Sequence, residues 1–380
     1  MVNYMKRILC FFIIIILLII QLQLSAQYKG MFAYFSPNII QEFTMDEEGN
    51  ISFGKIFNLN GVPRAISISP DIKIALVPAG GMLMEIFTID KERNLYYKGL
   101  HEYDTFWENP PIFSLDSKYM ITMFFREEIQ RWTITLFRRE EKYNFINTNK
   151  YIDLSGNSWT INTLAISKYF GTFLGFNHHE DDAEMLVFKF DELAENIYFT
   201  GQNIQTKPFE QDRDLTISSN GRYCCAIGFG IGHNDAIMLT INPDGTVNED
   251  FKFVIPQDIN LESCIFSPDS KYLYITSQGG YGTLSSYEIN YDGTTTLIQT
   301  EKYYDLAQAF DITPDGKFGI ISHHYSGDDG TQIVSVIKFH SDGTFEKLDK
   351  DFKMNGFFSY IKFIPPYVTS TDDEIWEMYK

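Results

Sequence analysis

The chain has few cysteines, few basic residues for its acidity, and no long apolar run beyond its first twenty residues. Of 4 cysteines in 380 residues, Cys10 lies in the N-terminal apolar segment, leaving Cys224, Cys225 and Cys264. Three cysteines close at most one intramolecular disulfide, and their spacing matches neither a zinc site nor a haem attachment. Cys224 and Cys225 are neighbours on a strand pattern, so they point to opposite faces, and buried thiols are expected. Lys and Arg number 31 against 50 Asp and Glu, a net charge of -19. That excludes nucleic-acid binding, which needs a basic face to replace phosphate counterions. It also excludes attraction to anionic lipid headgroups. There is no P-loop, no dinucleotide glycine fingerprint and no Gly-x-Ser-x-Gly elbow. Hydrophobic residues, by contrast, make up 44%, with 33 Phe and 23 Tyr, enough to build a core rather than a disordered chain.

The N-terminus reads as a removable leader. Lys6 and Arg7 precede an uncharged run from Ile8 to Ile20, and Leu24-Ser25-Ala26 ends the segment in small residues. This order describes a secretory signal peptide over residues 1–26, and the run is short for a membrane span. Without Lys6 and Arg7 the mature chain has 29 basic against 50 acidic residues, a net of -21. Export to a periplasmic or extracellular space, with no membrane span after cleavage, is the expectation.

The rest of the chain repeats. Ser69-Pro70-Asp71-Ile72-Lys73, Ser267-Pro268-Asp269-Ser270-Lys271 and Thr313-Pro314-Asp315-Gly316-Lys317 share one pattern, with weaker copies from Ser114, Ser167 and Ser218. The starts lie 45, 53, 51, 49 and 46 residues apart. A second pattern, a strand ending in a tight turn, recurs seven times, as in TINPDGT from Thr240, EINYDGT from Glu288 and KFHSDGT from Lys338. Asp and Gly tolerate the backbone angles such turns require. Each unit therefore holds four short strands, as RAISIS, IALVP, MLMEIFTI and LYYKGL do in the second. Four strands per 45–53 residues is the period of a propeller blade. The fold class is all-β: a seven-bladed β-propeller of four-stranded antiparallel blades over residues 27–366. The first blade lacks its first strand, and FFSYIKFIPP supplies it from the far end, closing the ring. Residues 367–380 are a short tail.

Phe266 to Gly280, FSPDSKYLYITSQGG, resembles the YVTN-type repeat of surface and periplasmic propellers. Gly61 to Asp71, GVPRAISISPD, is similar to the Gly-x-Pro-Arg-His strand start of the lactonase propeller family, which includes 6-phosphogluconolactonases. Arg64 is the arginine of that motif, and Ala65 stands where the family has histidine. The resemblance covers nearly all of the mature chain. It implies the propeller fold, and it implies a lactonase-like hydrolase acting on a sugar lactone or a related small anionic substrate.

In such a ring the Ser-Pro-Asp and Asp-Gly turns fall on one end. The loops joining second to third strands, and one blade to the next, fall on the other, where propeller ligands usually bind. His101, His178, His179, His233, His323 and His324 map to that loop end, and His340 to the turn end. Five residues before each Ser-Pro position stand Arg64, Asn109, Asn162, Arg213, Glu262, Gln308 and Ser359, all polar, where flanking positions are mostly apolar. Each innermost strand thus offers one polar group at the channel mouth. These groups either solvate the entrance or bind a ligand. The ligand-binding candidates are Asn109, Asn162, Gln308, His179, His233 and His323. As a catalytic set, Glu262 would be a general base while Arg64 and Arg213 hold an anion or a developing oxyanion. No cofactor is expected. A divalent cation on His178, Asp181 and Asp235 is the alternative to a solvated loop. The His178 and His323 loops belong three blades apart, too far to share one metal. Arg126, Glu128 and Arg131 read as an exposed charged hairpin. The expected partner is a small molecule or a protein at the loop end, and the chain is expected to be a monomer.

Overall fold

The computed structural model describes residues 28–366, apart from 81–82, 102–109, 127, 130, 142, 155–159, 168–170, 179–183, 206–210, 230–234, 255–259, 279–281, 304–306 and 325–330. These residues form 28 strands. Blade one takes β1 (Tyr28–Ser36), β2 (Ile39–Met45) and β3 (Ile51–Asn58). Blade two takes β4 (Ser67–Ile68), β5 (Ile74–Ala79), β6 (Leu83–Ile89) and β7 (Leu95–His101). Blade three takes β8 (Ile112–Phe113), β9 (Tyr119–Arg126), β10 (Arg131–Arg139) and β11 (Phe145–Asp153). Blade four takes β12 (Thr160–Ile166), β13 (Thr172–His178), β14 (Glu184–Asp191) and β15 (Asn196–Gln205). Blade five takes β16 (Gln211–Ile217), β17 (Tyr223–Phe229), β18 (Asp235–Ile241) and β19 (Val247–Val254). Blade six takes β20 (Asn260–Phe266), β21 (Tyr272–Gln278), β22 (Gly282–Ile289) and β23 (Thr295–Tyr303). Blade seven takes β24 (Ala307–Ile312), β25 (Phe318–His324), β26 (Thr331–Phe339) and β27 (Phe345–Asn355).

Strand β28 (Phe357–Ile364) pairs antiparallel with β1, so blade one has the order β28-β1-β2-β3. The C-terminal strand closes the ring as the sequence pattern requires, and closure covers what would otherwise be open blade faces. No helix among the described residues is long and apolar enough to cross a membrane.

The core is divided between the blades. Seven buried clusters each join two neighbouring blades. Phe32 packs toward blade seven while Met31 and Ala33 pack toward blade two. The period of two along a strand sends alternate side chains to opposite faces, and here both faces are interior. Cys224 and Cys225 follow the same rule. Cys224 packs between blades four and five, Cys225 between five and six, and both are free thiols, as is Cys264.

The repeated turn is held by side chains. The Ser69 hydroxyl donates to Asp71 at 2.6 Å and accepts the Ile74 N–H at 3.0 Å. Ser114, Ser267 and Thr313 do the same with Asp116, Asp269 and Asp315. The fourth residue of the turn must adopt a left-handed backbone; it is Gly316 in blade seven and Ile72, at φ 54°, in blade two. In the other turn, the Asp244, Asp292 and Asp342 carboxylates each cap the backbone N–H and hydroxyl of the threonine two residues on. These carboxylates are turn caps, which accounts for part of the acidity without any ligand.

Two details differ from the sequence pattern. RAISIS suggests a full strand, yet only Ser67–Ile68 forms β4, with a single bridge from Pro63 to Ala79. β8 is equally short, and Pro110 and Pro111 precede it without N–H groups to donate. Arg126 also departs from the exposed hairpin expected of it. It is 7% exposed, and its guanidinium lies 4.1 Å from the Tyr151 ring centroid, while Glu128 and Arg131 are exposed. The aromatic face and the Glu128 carboxylate compensate the buried charge.

Candidate functional site

The first strands of successive blades from β8 round to β28 lie against one another, as inner strands of a ring do. Among the described residues, six of the seven inner strands carry one residue too many for the partner strand. On β20, Leu261 pairs with Ser277 and Ser263 with Thr276, so Glu262 is left over as a bulge. Arg213 is left over in the same way between Asp212 and Asp214 on β16, and Asn162 between Ile161 and Thr163 on β12. On β28, Ala33 pairs with Tyr360 and Tyr34 with Phe358, leaving Ser359. In blade seven, the irregularity between Ala307 and Phe310 includes Gln308. In blade two it falls between the Pro63–Ala79 bridge and the Ser67–Leu76 pair, and contains Arg64. A bulge bends its strand and re-aims a side chain. The polar series five residues before the turn is therefore a series of bulges at the loop end, in six of the seven inner strands. Asn109, the seventh member, lies outside the described residues.

Two of the three catalytic candidates have described side chains. Arg64 is half-buried, and its backbone N–H donates to the Pro78 carbonyl at 2.8 Å. Its guanidinium sits 5.3 Å from the centroid of the Phe35 ring, and Phe35 is 40% exposed. Phe35 sits at the loop end of β1, in the stretch where that strand slips register against β28. An exposed ring beside a guanidinium presents an apolar face and a cation together, a combination that suits a ring-shaped anion. Sequence reasoning did not single out Phe35; its one signal was an aromatic out of step with the alternation of Phe32 and Tyr34.

Glu262 is half-buried beside a fixed polar group. The Asp214 carboxylate of β16 accepts the Ser263 hydroxyl at 3.0 Å and the Cys264 N–H at 3.0 Å. It also accepts its neighbour's N–H, Leu215, at 2.9 Å. Burial pushes the Asp214 carboxyl above the usual range, against the pull of those donors and of the Lys362 ammonium. Arg213 and Glu262 thus occupy neighbouring bulges on adjacent blades. Arg64 belongs to blade two, across the ring from blade six.

The histidine and metal candidates are placed only in part. His178 ends β13 in blade four and His323 lies near the end of β25 in blade seven, so these two residues are in separate sheets three blades apart, as expected. Asp235 begins β18. His179, Asp181 and His233 lie outside the described residues. Among the described residues, no group of three or more His, Cys, Asp or Glu is disposed to hold a metal ion. A cleft of about 460 Å³ lies at the turn end, between blades three and four, lined by Leu115, Phe190, Leu193 and Tyr198 among others. It lies at the opposite end from the bulges.

The seven four-stranded blades define a seven-bladed β-propeller. No protein-family profile and no curated protein matches the sequence. Solved structures do. A Bacteroides fragilis protein provisionally named 6-phosphogluconolactonase has a TM-score of 0.70 at 17% identity, over 90% of this chain and 98% of that one. A Bacteroides uniformis protein with the same provisional name has a TM-score of 0.71 at 15% identity, over 89% and 99%. A Lactobacillus plantarum protein has a TM-score of 0.68 at 14% identity, over 89% and 99%. The chain has the seven-bladed fold of these 6-phosphogluconolactonase-like proteins. At such identities the likeness is one of fold.

Proposed function

We propose that the chain is an exported propeller that binds a small anionic ligand at its loop-end mouth. The observation that carries this reading is the Arg64–Phe35 pair, at the same end as the backbone bulges at Asn162, Arg213 and Glu262. A guanidinium over an exposed ring supplies a cation and an apolar face to an anionic ligand in an otherwise acidic protein. The leader sequence supports export, and a ring with closed blades supports a monomer. Titration calorimetry with gluconate and 6-phosphogluconate on wild type and Arg64→Ala tests the reading. Binding that weakens about tenfold or more in the variant supports it; equal affinity in both overturns it.

A second reading is hydrolysis of a sugar lactone, and the Arg64 motif together with the fold of the provisionally named lactonases favours it. Glu262 would activate water, and Arg64 and Arg213 would stabilise the developing oxyanion. A pH-stat assay with glucono-δ-lactone decides it. Turnover that disappears in both Glu262→Gln and Arg213→Ala makes the protein a hydrolase; no turnover by wild type leaves the binding reading.

A further inference from the structure

The Asp214 carboxylate joins the two bulges carrying Arg213 and Glu262. It follows Arg213 directly on β16, and its side chain reaches to β20, where it holds the two residues that follow Glu262. The backbone N–H of Cys264 and the hydroxyl of Ser263 both end on one oxygen, Oδ2, while Oδ1 takes the Leu215 N–H. A bulge leaves one residue without a ladder partner, so its position is set less by sheet hydrogen bonds than by whatever grips its neighbours. Here the grip is a half-buried carboxylate that accepts three hydrogen bonds, which costs more to break than a single neutral hydrogen bond.

We propose that Asp214 is a positioning residue for the mouth, fixing the Glu262 bulge of blade six relative to the Arg213 bulge of blade five. Its functional consequence rests on the mouth being the ligand site; its structural content does not. The bond pattern distinguishes two substitutions. An asparagine can turn its carbonyl oxygen toward Cys264 and Ser263, giving up only the local bond to Leu215. An alanine removes both bonds between the blades.

The test is hydrogen exchange on the full mature chain, read segment by segment for wild type, Asp214→Asn, Asp214→Ala and Ser263→Ala. The expected result is exchange at Cys264 about tenfold faster in Asp214→Ala, with blades two and three unchanged. Asp214→Asn should stay within about twofold of wild type, and Ser263→Ala should fall between the two. Unchanged exchange at Cys264 in Asp214→Ala, or faster exchange spread evenly over all blades, overturns the proposal. If Asp214→Ala does not fold, the order of the other two variants decides it: Ser263→Ala no faster than wild type at Cys264 counts against. Gluconate titration of the same proteins separates the two claims. If wild type does not bind gluconate, the mouth reading fails while the exchange result still stands or falls on its own.

Discussion

The Asp311 carboxylate on β24 accepts the backbone N–H of Phe363 on β28 at 2.7 Å, and its other oxygen lies 3.2 Å from the Lys362 ammonium. Asp311 is 5% exposed. Blade seven therefore grips the strand that closes the ring through both carboxylate oxygens. Asp214 does the corresponding work between blades five and six. In each case a carboxylate on one inner strand satisfies an N–H on the channel-facing edge of the next, a donor that no strand in its own blade pairs.

Asp311→Ala should destabilise the protein by about 2 kcal/mol, because it leaves the Phe363 N–H without its charged acceptor. The Lys362 bond adds little, since that side chain is 42% exposed and solvent screens it. Urea unfolding should show a lower midpoint with an unchanged slope.

Ser267→Ala should cost about 1–2 kcal/mol, because the buried hydroxyl both donates to Asp269 and accepts the Tyr272 N–H. Lys271→Ala removes only an exposed ion pair to Asp269 and should change stability by no more than about 0.5 kcal/mol. Paired melts of the two variants separate the hydroxyl from the charge.

The seven blades were legible because these turns are specified by side chains. Ser-x-Asp and Asp-Gly-Thr each encode their own hydrogen bonds, so their spacing gives the blade count directly. Ring closure was legible for the same reason, since Ile364-Pro365 stands at the turn position of blade one. The lengths of β4 and β8 were not legible, because pairing there depends on where a bulge and the prolines interrupt the ladder. The bulges themselves showed only as polar residues at a fixed offset. Their register is a property of two strands and cannot be read from one. The Arg64–Phe35 contact joins two blades, and no local pattern in either segment announces it.

Acid should weaken the fold through the turn caps. The Thr294 hydroxyl and N–H hold the Asp292 carboxyl below its usual range, and Thr344 does the same for Asp342. Burial raises Asp71, but the Ser69 hydroxyl and the Arg139 guanidinium outweigh it and leave that carboxyl low as well. A carboxyl depressed in the folded state contributes stability above its unfolded value and loses it as pH falls through the folded one. Asp214 has the opposite sign: its raised carboxyl takes up a proton more readily folded than unfolded, so acid favours the fold at that site. Denaturant midpoints followed from pH 7 down into the carboxylate range should fall, and Asp292→Asn should make the fall shallower.

The thiols Cys224, Cys225 and Cys264 are buried. Burial also pushes Cys224 and Cys264 well above the ordinary thiol range. Since the thiolate is the reactive form, a thiol reagent at pH 8 should label none of these three in the native protein within minutes. All three should react at once in denaturant. Rapid native labelling would contradict the interior placement of β17 and β20.

The loop-end mouth, rather than the turn-end cleft, is where we propose that this propeller takes its ligand. The most direct measurement is calorimetric titration of 6-phosphogluconate into wild type, Arg64→Ala, Phe35→Ala and Leu193→Asp, the last altering the turn-end cleft. Affinity should be about tenfold or more weaker in the Arg64 and Phe35 variants and unchanged in Leu193→Asp. Affinity lost in Leu193→Asp but kept in Arg64→Ala would contradict this proposal.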